Sequence, residues 1–252
     1  MVCVGTLGCY TFPQPSASQA ELRARHQQRL TNYSKIDSLL EKDQFIEARE
    51  LARVSGRPAD QFQRSQLDLA NEGAQILDAG PATADTVLDR MTIQEDKVDN
   101  IRWYFAKLNT LRTDLEDDGI RERIHVYLGQ RIDAPNTVWL RIVVRSHGSR
   151  WAFMHEIKIV ADGQRFDWDH VDFKRDYRTK SFGINSHVEV TEKVDWLASD
   201  KEHQMLKAVI HAKDAVMRLR GERFTYDYTF TDMDRLLFQD MLILYDKFKA
   251  SR

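Results

Sequence analysis

Over the first third of the chain apolar residues recur at three- and four-residue steps; over most of the rest they alternate with polar ones. Leu22, Leu30, Tyr33, Ile36, Leu39 and Leu40 predict a long helix starting near Gln19. After a break at Asp43, Phe45, Ala48, Leu51 and Ala52 continue on a second, shorter helix. Gly56-Arg57-Pro58 stops it, because Gly suits a helix C-terminus and Pro resists continuation. Asp60 is placed to cap a third helix carrying Phe62, Leu69, Ala70, Ile76 and Leu77, which Gly80-Pro81 ends. Residues 19–80 therefore read as a helical hairpin. Residues 81–97, with Asp85, Asp89, Glu95 and Asp96, read as a polar connector or short helix at a domain boundary.

Beyond the connector the pattern is that of strands. Residues 101–105 are bulky and aromatic, and residues 123–129 set Ile124, Val126 and Leu128 against His125 and Tyr127. Residues 138–145 alternate Trp139, Arg141, Val143 and Arg145 with Leu140, Ile142 and Val144. The short His147-Gly148-Ser149 turn predicts a hairpin between that strand and residues 151–160. Asp162-Gly163 is a second turn, leading into residues 165–168, and a further strand runs from about His187 to Trp196. Helical signals return at Ser199-Asp200, with Met205, Leu206, Val209 and Ile210 as the apolar face. Residues 215–219 and 223–230 predict a hairpin about Arg220-Gly221-Glu222. Thr231-Asp232-Met233-Asp234 then caps a last helix with Leu236, Leu237, Phe238, Met241, Leu244, Tyr245 and Phe248 as its buried side. Strands mostly precede helices instead of alternating with them. The expected fold class is α+β: a helical hairpin, then an antiparallel sheet or sandwich with two helices over residues 98–252.

Two resemblances accompany this reading. Residues 39–52, LLEKDQFIEARELA, are similar to the turn of a tetratricopeptide helix pair, with no second copy at a 34-residue period. The resemblance implies a peptide-binding hairpin; the alternative is a hairpin packed on its own domain. Residues 139–145 (WLRIVVR), then Trp151-Ala152-Phe153 and Asp162-Gly163, resemble a module of uncharacterised bacterial exported proteins. There a Tyr-x-Gly strand end, here Tyr127-Leu128-Gly129, precedes the Trp-Leu-Arg strand. A later segment like residues 216–221 closes the sheet. The likeness spans about residues 98–249 and implies an envelope setting, without an activity or a catalytic residue.

Composition narrows the function classes. The 252 residues carry 37 Lys and Arg against 39 Asp and Glu, a net charge of −2, which argues against a dedicated nucleic-acid binder. Hydrophobic residues at 42% supply a core and exclude a disordered chain. Cys3 and Cys9 are the two cysteines, so a zinc-finger or disulfide framework is excluded. No window near the N-terminus reaches the roughly 20 apolar residues of a membrane span. Thr6-Leu7-Gly8-Cys9 nevertheless resembles a degraded lipoprotein-processing site, followed by a Pro- and Ser-bearing spacer over residues 13–18. Cys9 is thus the lipidation candidate, and residues 1–18 a tail or lipoprotein-like tether.

Chemical signatures are sparse. No Gly-x-x-x-x-Gly-Lys-Ser/Thr loop, Gly-x-Gly-x-x-Gly turn or Gly-x-Ser-x-Gly elbow occurs. Asp167, Asp169, His170 and Asp172 lie within six residues and are the metal candidates, with Asp167 and Asp169 on one face if they share a strand. The alternative is a solvated strand face. Arg141, Arg145, Arg218 and Arg220, with Arg150, would form an anion-binding face if their hairpins share a sheet, with Trp139, Trp151 and Trp168 as stacking surfaces. The alternative is Arg paired to nearby acids. No cofactor is expected. The leading expectation is a non-enzymatic, envelope-associated binding or structural protein, a lipoprotein with an unknown protein partner and no nucleic acid. The alternatives are a cytoplasmic adaptor using the hairpin and a metal- or anion-dependent enzyme.

Overall fold

Helix α1 (Gln19–Glu41), helix α2 (Phe45–Ser55) and helix α3 (Gln61–Ala79) open the computed structural model, which describes residues 19–58, 60–115, 122–182 and 185–251. Asp43 turns the chain between α1 and α2 with a left-handed φ of 55°. Asp60 caps α3 by accepting the Gln63 N–H at 2.8 Å, as the sequence predicts. The three helices close on Phe45, which is fully buried. A Cβ built on Gly73 would stand 2.2 Å from the Phe45 ring, so glycine is what lets α3 approach α2. Leu22 and Leu30, expected on the apolar face of α1, remain exposed; from Glu21 onward the first buried residue of that helix is Tyr33.

The segment read as a connector carries structure of its own. It holds a 3-10 turn (Val87–Arg90) and strand β1 (Met91–Asp96), which pairs with β2 (Ile101–Ala106). Helix α4 (Lys107–Leu115), also unread in the sequence, follows. Then come β3 (Glu122–Arg131), β4 (Val138–Gly148), β5 (Met154–Ala161), β6 (Gln164–Trp168), β7 (Lys174–Phe182) and β8 (Asn185–Leu197). Helix α5 (Asp200–His211), the hairpin β9 (Ala215–Gly221) and β10 (Thr225–Thr229), and helix α6 (Asp232–Ala250) complete the chain. The class is α+β.

All described pairings are antiparallel and fall into two sheets, one of six strands in the order β1-β2-β3-β4-β8-β7 and one of four in the order β10-β9-β5-β6. This corrects the expected hairpin of β4 with β5. β4 pairs with β3 and β8, whereas β5 pairs with β6 and β9. The physical reason lies at residues 149–153, where the chain leaves one sheet for the other. Phe153 takes a left-handed φ of 56°, and the buried Glu192 of β8 accepts the N–H groups of Phe153 at 2.8 Å and Met154 at 3.0 Å. A turn-like Gly-Ser pair thus serves as a crossover. The Asp162-Gly163 turn is a true hairpin, with both residues at positive φ as a primed turn requires.

The inner faces of both sheets and helices α5 and α6 enclose one core. It joins Phe45 and Leu69 of the leading helices to Leu140 and Ile142 of β4, Ile157 and Ile159 of β5, and Leu237 and Phe238 of α6. One buried carboxylate ties the layers together. Asp240 of α6, fully buried, accepts from Arg90 at 3.0 Å and from the Ala82 N–H at 3.2 Å, fixing the segment after α3 to the last helix. Burial pushes the Asp240 carboxyl up, against the lowering pull of Arg90.

Candidate functional site: a groove on the outer face of the large sheet

In an antiparallel sheet, directly opposed residues share a face. The register therefore gathers Trp103 and Phe105 of β2, His125 and Tyr127 of β3, and Trp139 to Arg145 at odd positions of β4 on the face turned away from the core. Glu189, Thr191, Lys193 and Asp195 of β8 and Lys174, Asp176 and Arg178 of β7 extend it. Two adjoining cavities of about 770 and 430 Å³ open on this face. His125, Val143 and Lys193 line both, so they form one groove across the sheet.

One end of the groove is aromatic. The Trp103 ring lies 5.5 Å from Tyr127 and 5.9 Å edge-on from Trp139, while Phe105 stacks on Tyr127 at 5.1 Å. Trp139 takes this position because its opposite residue is Gly129. A Cβ there would stand 2.4 Å from the indole. Tyr127 donates its hydroxyl to Asp195 at 2.9 Å, and Arg141 Nε donates to the other oxygen of the same carboxylate at 2.9 Å. Burial, then the hydrogen bond to the Asp195 carboxylate, pushes the Tyr127 phenol up to about 12.

The other end is cationic. Arg145, Lys174, Arg175, Arg178 and Lys193 line it together with His125 and His147, against two acids, Asp176 and Glu189. Burial lowers the pKa of the Arg145 guanidinium, and the nearby Arg178 charge lowers it further.

The sequence candidates divide accordingly. Arg141 and Arg145 lie on this face, Arg141 engaged by Asp195. Arg218 and Arg220 belong to β9, in the other sheet, so the shared anion face built from all four does not form. Arg218 instead grips Asp227 at 2.6 Å through two bonds, and Arg220 lies 3.8 Å from Glu156. Arg150 lies against the Phe224 ring and Trp168 is turned to the core side. The metal candidates are also corrected. β6 ends at Trp168, so Asp169 is not on a strand with Asp167, and Arg165 takes Asp167 at 2.7 Å. His170 bends the chain with a φ of 57°. Among the described residues no group of three or more His, Cys, Asp or Glu side chains converges as a metal site. Cys9 lies outside the described residues.

Lys174, Arg178 and Lys193 were missed by sequence reasoning. β7 has no apolar alternation to reveal it, since its charged face is open and its neighbours are charged too. No helix among the described residues is long and apolar enough to cross a membrane. No family model, curated protein or solved structure matches the chain.

Proposed function

We propose that the chain is a non-enzymatic, envelope-associated binding protein, tethered through Cys9, that takes a ligand with an aromatic or apolar part and an anionic part into the groove. The supporting observation is the continuity of the groove. An aromatic cluster around Trp103 and Tyr127 and a cation-rich end around Lys193 share one open sheet face. Aromatic faces hold apolar rings, and the cations orient a negative group.

The probe is 1-anilinonaphthalene-8-sulfonate, a fused ring bearing one anion. The folded protein enhances its fluorescence saturably. Trp103→Ala and Lys193→Glu, each shown to be folded by circular dichroism, weaken binding about five- to tenfold. Unaltered binding in both variants sinks the groove as the site. Acyl labelling in the native host, with Cys9→Ala as the control, tests the tether; absence of label on the parent chain rejects it.

A further inference from the structure

The leading half of α1 packs into no layer of the fold. From Glu21 to Asn32, over about 18 Å, no residue of the helix is buried. Tyr33 is the first to sink into the bundle, its hydroxyl donating to the Gly56 carbonyl just past α2. A helical stretch this short is marginal in water by itself. Its charge is also one-sided. At about 100° per residue, Leu22, Arg23, Arg25, His26, Arg29 and Leu30 fall within an arc of about 160°. Glu21, Ala24, Gln27, Gln28 and Thr31 lie outside it. The arc prolongs the stripe that farther along buries Tyr33, Ile36 and Leu40.

We infer that this face of α1 lies on a membrane surface carrying anionic phospholipid. The choice of a membrane rests on the tether at Cys9, and the inference adds a second attachment beside it. Gln19 follows Cys9 by ten positions, a reach of at most about 35 Å, so the tether would hold the helix close to the bilayer. One acyl chain binds a membrane only marginally, and a basic patch is one form of the second signal that stable anchoring needs. The charge is complementary. Residues 19–32 hold three of the chain's 37 Lys and Arg and one of its 39 Asp and Glu, leaving 34 against 38 elsewhere. The helix is the cationic extension of an acidic body, so anionic headgroups attract the helix face and not the body. Arg23 and Arg25 have no ion pair among the described residues, and Arg29 donates to the His26 ring at 3.1 Å. Leu22 is 55% and Leu30 42% exposed; set among the arginines, they would dip into the headgroup boundary while the longer guanidinium side chains snorkel to the phosphates. A second copy is a poorer occupant, since a two-fold pairing would set the same arginines against one another.

The test is sedimentation of the whole chain with sucrose-loaded vesicles at millimolar lipid. The chain carries Cys9→Ala, so that no acyl group contributes. The vesicles are phosphatidylcholine alone, or phosphatidylcholine with about one-third phosphatidylglycerol. The chain sediments with the anionic vesicles, not with the neutral ones, and high salt releases it. Adding Arg23→Gln and Arg25→Gln weakens the partition at least about tenfold, and Leu22→Ser with Leu30→Ser also weakens it; circular dichroism shows that both variants are folded. No preference for the anionic vesicles, or equal partition of parent and helix variants, overturns the inference. Binding that is lost in Lys174→Gln, Lys193→Gln but kept in the helix variants moves the lipid to the groove and overturns it too. So does a dimer in sedimentation equilibrium that the arginine variant abolishes, without vesicle binding, because the occupant is then a second copy. If acyl labelling fails while the vesicles still bind, the tether falls and the helix face stands; if the label is present and the vesicles take up nothing, the helix face falls and the tether stands.

Discussion

Trp168 and Trp196 belong to different sheets, yet both indole N–H groups donate to the same oxygen, Glu202 Oε1, at 2.7 and 3.3 Å. The second oxygen of Glu202 accepts from the Ser199 N–H at 2.7 Å and from the Ser199 hydroxyl, closing the capping box of α5. One carboxylate therefore starts a helix and joins two sheets. Glu202→Ala removes the cap and strands two indole donors, for a loss of about 2–4 kcal/mol. Urea unfolding followed by tryptophan emission measures it. A loss under about 0.5 kcal/mol would contradict this account.

The same residue gives a pH dependence. Burial pushes the Glu202 carboxyl up, but the bonds from Ser199 and the two indoles outweigh it and hold the group below its usual 4.5. A lowered folded-state value means that the stabilisation is complete above the unfolded value and is lost as pH falls through the folded one. Acid unfolding of the parent should thus lose stability progressively below about pH 4.5 from this group. Glu202→Gln should flatten that part of the curve.

Arg90 and Asp240 form a buried pair at 3.0 Å. Arg90→Ala leaves a carboxylate in the core and should cost about 3–5 kcal/mol at neutral pH. Because burial already raises the Asp240 carboxyl, the deficit should shrink in acid, where the group is neutral, and grow as pH rises. Replacing both partners by Met and Leu should recover most of the loss. Denaturant melts of the three proteins at two pH values separate these outcomes.

Gly129→Ala should displace the Trp139 indole from its place over β3, at a cost of about 1–3 kcal/mol. The near-ultraviolet dichroism of the aromatic cluster should change with it. An unchanged spectrum would mean that the Trp139 ring does not depend on the missing side chain.

Tyr127 should titrate late. In an ultraviolet titration one tyrosine should ionise near 12, and Asp195→Asn should bring it down by removing the carboxylate that opposes the phenolate. For a raised folded-state value the stabilisation is intact below the unfolded value near 10 and disappears by about 12.

Local chemistry was readable where it was self-contained. Asp60, Ser199 and Thr231 announce the starts of α3, α5 and α6, because a cap lies within one turn of what it caps. Asp162-Gly163 announces a hairpin for the same reason. The error at residues 147–153 had a non-local cause: the carboxylate that binds the Phe153 and Met154 N–H groups is Glu192, far along the chain. The site divides in the same way. Trp139, Arg141 and Arg145 were visible as alternating positions of one strand. The cationic end with Lys193 and Lys174 exists only once β4, β8 and β7 are paired, and no single strand shows it.

The crossover between β4 and β5 also has a kinetic consequence. The chain lays down β1 to β4 in the large sheet, β5 and β6 in the small one, returns for β7 and β8, and then completes the small sheet with β9 and β10. The β4–β8 pairing cannot close without looping out β5 and β6, nor β5–β9 without looping out β7 and β8. Such interleaved, distant pairings delay the reward for ordering the backbone, so the route to the native state should be slow and all-or-none. Neither sheet is a piece that can be cut out and expected to refold by itself, and a nascent chain must wait for β8 before the cationic end of the binding face can be joined to the aromatic one.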